Sequence, residues 1–453
     1  MFENLLGQAA ADQLIGDIEA GVLAPAMLFS GPPASGKGTA ALELGRIISC
    51  EAGPATGRAA WNCTCPDCSR HRLLVHQDLL CLGFRPFSAE IAASAGAFLR
   101  ETGSSSSRIL FIRSIRKLLA RFNPVLWEDD PKGGKVAPLV DSLEEDLAEL
   151  EVLDSELQTS SGDTGDADKS RESLVKLCGG MLKNAFKLES EGMGETIPIA
   201  QLRRAAWWSH LAPAGRGKLL IIENADRMQE EARNSLLKLL EEPPARVTLV
   251  LTTPRPGSML PTILSRLRPY RFAARTAAVE AEVIRRVFRE HGTENQKSIS
   301  AYLDSFLPVS GETLEALAAF FAASAAYKAA LLSKRQGRPI SNEVILLGKY
   351  SAPRAEVAGL GRPQGEGAAV VNLILERADK FEIRSLFTRF LYSLLEQVSV
   401  SQRTASFLPG LGYNELWKKC TAWGETAVGV YKLRPAQALE KLFTDLSRGM
   451  AEL

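Results

Sequence analysis

Four kinds of residue in this 453-residue chain could do chemistry: a lysine in a glycine loop, an acid at a strand end, a cluster of cysteines and one arginine. The loop is Gly31-Pro-Pro-Ala-Ser-Gly36-Lys37, which fits the spacing G-x-x-x-x-G-K. Backbone N–H groups of such a loop, at a helix N-terminus, face phosphate oxygens, and the lysine adds a compact positive charge. The next position ordinarily carries a hydroxyl for Mg²⁺. Here it is Gly38, and Thr39 comes one residue late. Two outcomes are open for ATP and Mg²⁺: nucleotide binding with an altered metal contact, or a loop retained for structure alone.

The strand that should face this loop is Leu219 to Ile222, and it runs into Glu223-Asn224. In a hydrolysing nucleotide site of this frame those two positions are Asp and Glu, the first for Mg²⁺ and the second to polarise the attacking water. Asn224 has no basic oxygen and cannot act as a general base. The cysteines Cys50, Cys63, Cys65 and Cys68 are spaced C-x12-C-x-C-x2-C. Four thiolates on one short excursion satisfy structural, tetrahedral zinc. The C-x-C step is tighter than usual, so His71 or Cys81 could replace one ligand. Cys178 and Cys420 stand alone and read as buried apolar residues.

These groups need a frame of alternating strands and helices. Ala26 to Ser30 is a short apolar strand that enters the glycine loop, and a helix follows it. Leu79 to Phe84, Leu219 to Ile222 and Val247 to Thr253 read as further buried parallel strands. The helix Glu230 to Leu240 ends before Pro243-Pro244. Between residues 85 and 196 the pattern changes to a long, mostly helical insertion. Arg108 to Phe122 and an acidic stretch, 139–157, have helical spacing, Ser160 to Asp168 is a break, and a second helical stretch spans 174–191. The acidic face, and the basic run Arg113-Ser-Ile-Arg116-Lys117, read as solvated helix faces. From Ala277 onward only helical patterns occur.

Bulk composition sets limits on the partners. Hydrophobic residues make up 45%, charged residues 24%, and the net charge is +1. That balance argues against a free-standing nucleic-acid binder with a large basic surface and leaves room for a local basic face. The N-terminus reads as neither signal peptide nor anchor, and no segment reads as a membrane span, so a cytoplasmic protein with reduced cysteines is expected.

With these pieces in order, the chain resembles the bacterial DNA polymerase III clamp-loader subunits, an AAA+ family, and within it the delta-prime type. The matching runs are LLGQ (5–8), the glycine loop, the four cysteines, HQDLL (76–80), IPIAQLR (197–203), IIENAD (221–226), NSLLKLLEEPP (234–244), LTT (251–253) and ILSR (263–266). A weaker match is KLRPAQALE (432–440). The resemblance implies an α/β AAA+ P-loop module at 1–275, with a parallel sheet flanked by helices and a zinc module at 50–68; the insertion at about 85–196 has no counterpart in it. A helical lid (276–345) and an all-α collar (346–453) follow.

It further implies a hetero-pentameric ring with gamma/tau and delta subunits that places a sliding clamp on primed DNA. Arg266 matches the arginine finger that reaches ATP on a neighbouring subunit, and Thr253 matches a sensor position. Gly31, Gly36, Lys37, Gly38 and Thr39 would form the nucleotide loop, and Glu223-Asn224 a degenerate second motif. Glu223-Asn224 and Gly38 favour a subunit with weak or no hydrolysis of its own. The alternatives are an active gamma/tau-type ATPase, or a P-loop nucleotide kinase suggested by GKGT alone.

Overall fold

The computed structural model describes residues 1–53, 59–128, 130–159, 164–194, 196–290, 298–381, 384–405, 410–429, 431 and 433–453. They fall into two compact units, Met1–Phe306 and Leu307–Leu453.

The first unit is built on five parallel strands. In chain order it comprises α1 (Ala9–Glu19), β1 (Ala26–Ser30), α2 (Lys37–Ser49), α3 (Pro66–Arg72), β2 (Leu79–Gly83), α4 (Ser88–Arg100) and α5 (Ser105–Leu119). It continues with α6 (Pro124–Trp127), α7 (Gly133–Thr159), α8 (Thr164–Gly192), α9 (Ile199–His210), β3 (Lys218–Glu223) and α10 (Glu230–Glu241). Then come β4 (Val247–Thr253), α11 (Pro261–Leu264), β5 (Arg268–Arg271), α12 (Ala277–Val287) and α13 (Ile299–Asp304). The spatial order is β2-β3-β4-β1-β5, with Leu28 opposite Leu251 and Leu220 opposite Leu249.

Helices cover both faces, which is why the central strands are apolar on both sides. Met27, Phe29, Leu219, Ile221 and Val250 pack with Leu44 and Ile47 of α2 on one face. Leu28, Leu220, Ile222, Leu249 and Leu251 pack with Leu202 of α9 and Leu236 of α10 on the other. Each fully buried Leu or Ile contributes roughly 1.5–3 kcal/mol. The edge strand β5 escapes the sequence pattern because only Tyr270 of its four residues is buried, and its Pro269 is tolerable at an edge.

The insertion expected at about 85–196 is helical, as read. Its helices α4, α5, α7 and α8 bury a core of their own that includes Phe98, Phe111, Leu147 and Met181, with Cys178 inside it. Helices α7 and α8 form a hairpin, with Asn184 donating to Ser142. The break expected at Ser160 to Asp168 lies partly outside the described residues (160–163), and α8 begins at Thr164. Glu144, Glu145, Glu149 and Glu151 are exposed, in agreement with a solvated acidic face.

The basic run is a correction. Arg113 donates to the carbonyls of His71 and Arg72, Arg116 to that of Leu73 (3.1 Å), and Lys117 pairs with Glu90. The arginines thus serve the carbonyls at the C-terminal end of α3, where positive charge is favoured.

The second unit is all-helical: α14 (Gly311–Arg335), α15 (Asn342–Val357), α16 (Gly367–Arg377), α17 (Arg384–Ala405), α18 (Leu411–Gly429) and α19 (Pro435–Glu452). Ser310 and Ser341 cap α14 and α15 by accepting from Thr313 and Val344 N–H. Helix α14 corrects the expectation that no segment is long and apolar enough to cross a membrane. Its best 18-residue window has a mean hydropathy of 1.5, and 67% of that window is buried. It is apolar all round because α15, α17 and α19 pack against it, as for a central core helix. Cys420 is buried in this unit, as expected.

Candidate functional site

The glycine loop connects β1 to α2. Gly36 has φ +94°, and a Cβ there would lie 2.6 Å from Leu5 Cδ1 and 2.8 Å from Arg275 Nη2. The left-handed conformation is what demands glycine, and a side chain would also have to push aside the ends of Leu5 and Arg275. Lys37 opens α2 and folds its ammonium back over the loop, donating to Gly31 O (2.7 Å), Pro32 O (2.6 Å) and Ser35 Oγ (3.2 Å). Burial lowers the Lys37 pKa to about 8, against the opposing pull of Glu223 and Asp226. Arg275 donates to Leu6 O and Ala34 O, tying LLGQ to the loop. Gln8 adds a two-bond clasp to the backbone of Ala273. Thr39 lies half-buried on the first turn of α2.

Glu223 ends β3, buried to 6% exposure. Its Oε2 accepts from Arg121, at the end of the α5 segment, and from Arg85 Nε (3.1 Å), just past β2. Arg85 also pairs with Glu90 (2.8 Å). Burial alone would push the Glu223 carboxyl up, but Arg121 and Arg85 outweigh it and hold the group below the usual carboxylate range. Glu223 Oε1 faces Gly38, where an added Cβ would approach it to 2.8 Å. Asn224 takes the left-handed conformation (φ +50°). Its side-chain amide donates to Phe84 O (2.7 Å) and its backbone N–H to Thr252 Oγ1 (3.2 Å). At this position the side chain thus serves as a backbone clasp.

Thr253, at the end of β4, donates its hydroxyl to Asp226 Oδ1 (2.8 Å). The other carboxylate oxygen of Asp226 accepts from Arg255 Nη2 (2.8 Å) and Nε (3.1 Å). Arg266 follows α11, about a third exposed, with Nη1 on Thr262 O and Nη2 on Glu241 Oε1, both at 2.8 Å. Its neighbour Leu267 is buried in the sheet core and anchors the segment.

The structure therefore brings Lys37, Gly38 and Glu223 to one place. Arg85, Arg121, Glu90 and Asp226 join them, and sequence reasoning did not single these four out. No local motif marks Arg121, whose partner lies 102 residues away.

The cysteine cluster closes on itself. The sulfurs of Cys50, Cys63, Cys65 and Cys68 all lie within 4.8 Å of one another, and Cys50 to Cys63 is 3.7 Å. A tetrahedral zinc with Zn–S of about 2.3 Å requires sulfur separations of about 3.8 Å, so the donor set fits a metal.

Neither His71 nor Cys81 replaces a ligand. His71 stacks on His76 (4.1 Å) and shares a hydrogen bond with Ser49 (3.0 Å). Burial, then His76, Arg46 and Arg113, lowers its pKa to about 3. Cys81 is buried in β2. Buried Arg46, paired with Glu43 (2.5 Å), donates to Cys68 Sγ (3.2 Å) and to Ala59 O and Ala60 O. It thereby holds the excursion and offsets thiolate charge.

Residues 152–276, which contain β3, β4, β5 and Arg266, match the family model described as DNA polymerase III, delta subunit. Over this region the chain is similar to that family. The subunit delta' of Pseudomonas aeruginosa is 36% identical over 91 residues, 20% of this chain and 28% of that protein. The subunit delta' of Bacillus subtilis is 49% identical over 55 residues, 12% of this chain and 17% of that protein. The subunit gamma/tau of Mycobacterium bovis is 26% identical over 109 residues, 24% of this chain and 18% of that protein. A solved gamma subunit-related protein from Thermotoga maritima covers 56% of this chain and 80% of its own, at 19% identity and a TM-score of 0.23. The chain thus spans less than a third of the length of the curated relatives it matches.

Proposed function

We propose that this protein is a delta-prime-type subunit of the DNA polymerase III clamp loader, an AAA+ component with weak or no ATP hydrolysis of its own. The observation that carries the reading is Asn224: it stands where the water-polarising base belongs, and its amide is already bonded to Phe84 O. Gly38 in place of a hydroxyl residue points the same way. The gamma/tau-type alternative would need a base at 224.

On this reading Arg266 is an arginine finger lent to ATP on an adjacent gamma/tau subunit. Its guanidinium is accessible and held only by surface bonds. Such a group offsets charge developing on the γ-phosphate, worth about 10³–10⁵ in rate in other NTPases. Thr253 acts on the sensor position through Asp226. Cys50, Cys63, Cys65 and Cys68 hold structural zinc. Residues 276–345 form a lid and 346–453 a collar in a cytoplasmic pentamer with gamma/tau and delta that places the sliding clamp on primed DNA.

The test is reconstitution with gamma/tau and delta. Clamp loading is expected to depend on this chain, and Arg266→Ala to leave assembly intact while lowering the ATPase of the complex at least about tenfold. Turnover by the isolated chain that Lys37→Ala abolishes would replace this reading with the gamma/tau-type one.

A further inference from the structure

The glycine loop sits beside a metal place that this chain has filled with its own side chains. In a site of this frame the divalent cation would be held by the strand-end acid and by a hydroxyl after the loop lysine. Here the acid is Glu223, and one oxygen already accepts from two guanidiniums, those of Arg121 and Arg85. Arg121 and Glu223 are both more than nine-tenths buried. Ligation of a metal by Glu223 would take the carboxylate from buried Arg121, which is strongly unfavourable, and leave Arg85 with Glu90 alone.

The hydroxyl is missing as well, since the position holds Gly38. A Cβ at residue 38 would start 2.8 Å from Glu223 Oε1, so a hydroxyl residue there would require that carboxylate to turn away. The residues present do not fit Mg²⁺.

The charges that remain fit phosphate. Lys37, Arg85, Lys117 and Arg121 face the carboxylates Glu90 and Glu223, and the cations are in excess even when buried Glu189 is counted. Glu189 is itself committed, accepting from Phe87 N–H, Ser88 N–H and the Ser88 hydroxyl at 2.8 Å each. Asp226 is occupied by Arg255 and Thr253. Guanidinium groups are suited to phosphate oxygens, and unlike a metal they need no vacant carboxylate.

We propose that Arg85 and Arg121 stand in for the divalent cation, so that this loop takes a nucleoside triphosphate without Mg²⁺. The proposal rests on the reading of the glycine loop as a nucleotide site, and it makes the helical insertion, which supplies Arg121, part of that site.

The test is equilibrium binding of a fluorescent, non-hydrolysable ATP analogue to the full chain, in Mg²⁺ and in EDTA. The two dissociation constants are expected to agree within about threefold. Binding at least about tenfold weaker in EDTA overturns the proposal, as does absence of binding in both conditions up to about 1 mM. The double variant Arg85→Gln/Arg121→Gln is expected to lose at least about tenfold in EDTA and to recover affinity when Mg²⁺ is added.

If that variant does not fold, Glu223→Gln decides. Loss of one negative charge should tighten metal-free binding, whereas a fall of about tenfold in Mg²⁺ would show that Glu223 holds the metal. None of these outcomes alters the clamp-loading assay, so failure here is separable from failure of the subunit assignment.

Discussion

The cysteine cluster and the end of β3 began as the same kind of signal, chemically apt residues at a telling spacing, and the fold treats them in opposite ways. At the cysteines the four donors converge on a common centre, and the neighbouring polar groups, Arg46 above all, support them from outside. At Glu223 the donors are diverted. The carboxylate belongs to Arg121 and Arg85, the Asn224 amide to Phe84, and the position after Lys37 carries no hydroxyl. A motif states which groups are available. Whether they are free to act depends on what the rest of the chain brings against them.

The largest expected effect comes from breaking the convergent region. Cys65→Ser should drop bound metal from about one equivalent to less than half. It should also destabilise the first unit severely, because structural zinc contributes about 10–16 kcal/mol of apparent binding energy in small zinc modules. Metal analysis and thermal unfolding read both. A chain that purifies without metal and shows an unchanged melting temperature would remove zinc from the account and erase the contrast between the two regions.

Next in size is Arg121→Ala, which leaves Glu223 buried with one guanidinium fewer. A cost of about 3–5 kcal/mol is expected in denaturant unfolding, the range for breaking one side of a buried pair. The sign with pH follows from the lowered pKa of Glu223. Its stabilisation is complete above the ordinary carboxylate pKa and is lost as pH falls toward the depressed folded value, because the unfolded chain binds the proton first. Acid destabilisation should therefore weaken in Glu223→Gln. A wild-type acid limb identical to that of the variant would show that the pair is not the stabilising element.

These two regions also explain what was legible beforehand. The cysteines lie within 19 residues, with Cys50 at the end of α2 and Cys65 and Cys68 at the start of α3, so local spacing suffices. The central strands were legible too, since burial on both faces writes continuous apolar runs such as Leu219 to Ile222. Glu223 meets Arg121 across 102 residues, and nothing in Ala120-Arg121-Phe122 distinguishes that arginine from the other basic residues of the run before it. Arg113 was misread for the same reason: its partners are backbone carbonyls of α3, which no side-chain pattern reveals. Edge strand β5 was missed because three of its four residues face solvent.

Lys37 offers a subtler probe of the diverted region. Its pKa near 8 means that the free site is protonated below that value and neutral above it. Bound phosphate favours the ammonium, so binding above pH 8 must take up a proton. Nucleotide affinity should be flat below about pH 8 and fall by up to tenfold per pH unit above it. Lys37→Arg, which stays charged, should hold the affinity flat to about pH 9. A wild-type profile that is flat to pH 10 would mean that the ammonium does not meet the phosphates.

The smallest effect on the chain itself belongs to Arg266. Its pair with Glu241 and its bond to Thr262 O lie at the surface, where such contacts are worth about 0–1 kcal/mol. Arg266→Ala should leave the melting temperature nearly unchanged, and a Glu241→Gln variant likewise. That indifference separates it from Arg121. One arginine is held where removing it damages the fold, and the other stays accessible on a segment anchored by Leu267. A large loss of stability in Arg266→Ala would place Arg266 among the internally committed arginines, and any drop in ATPase of the assembled complex would then report folding rather than a missing finger.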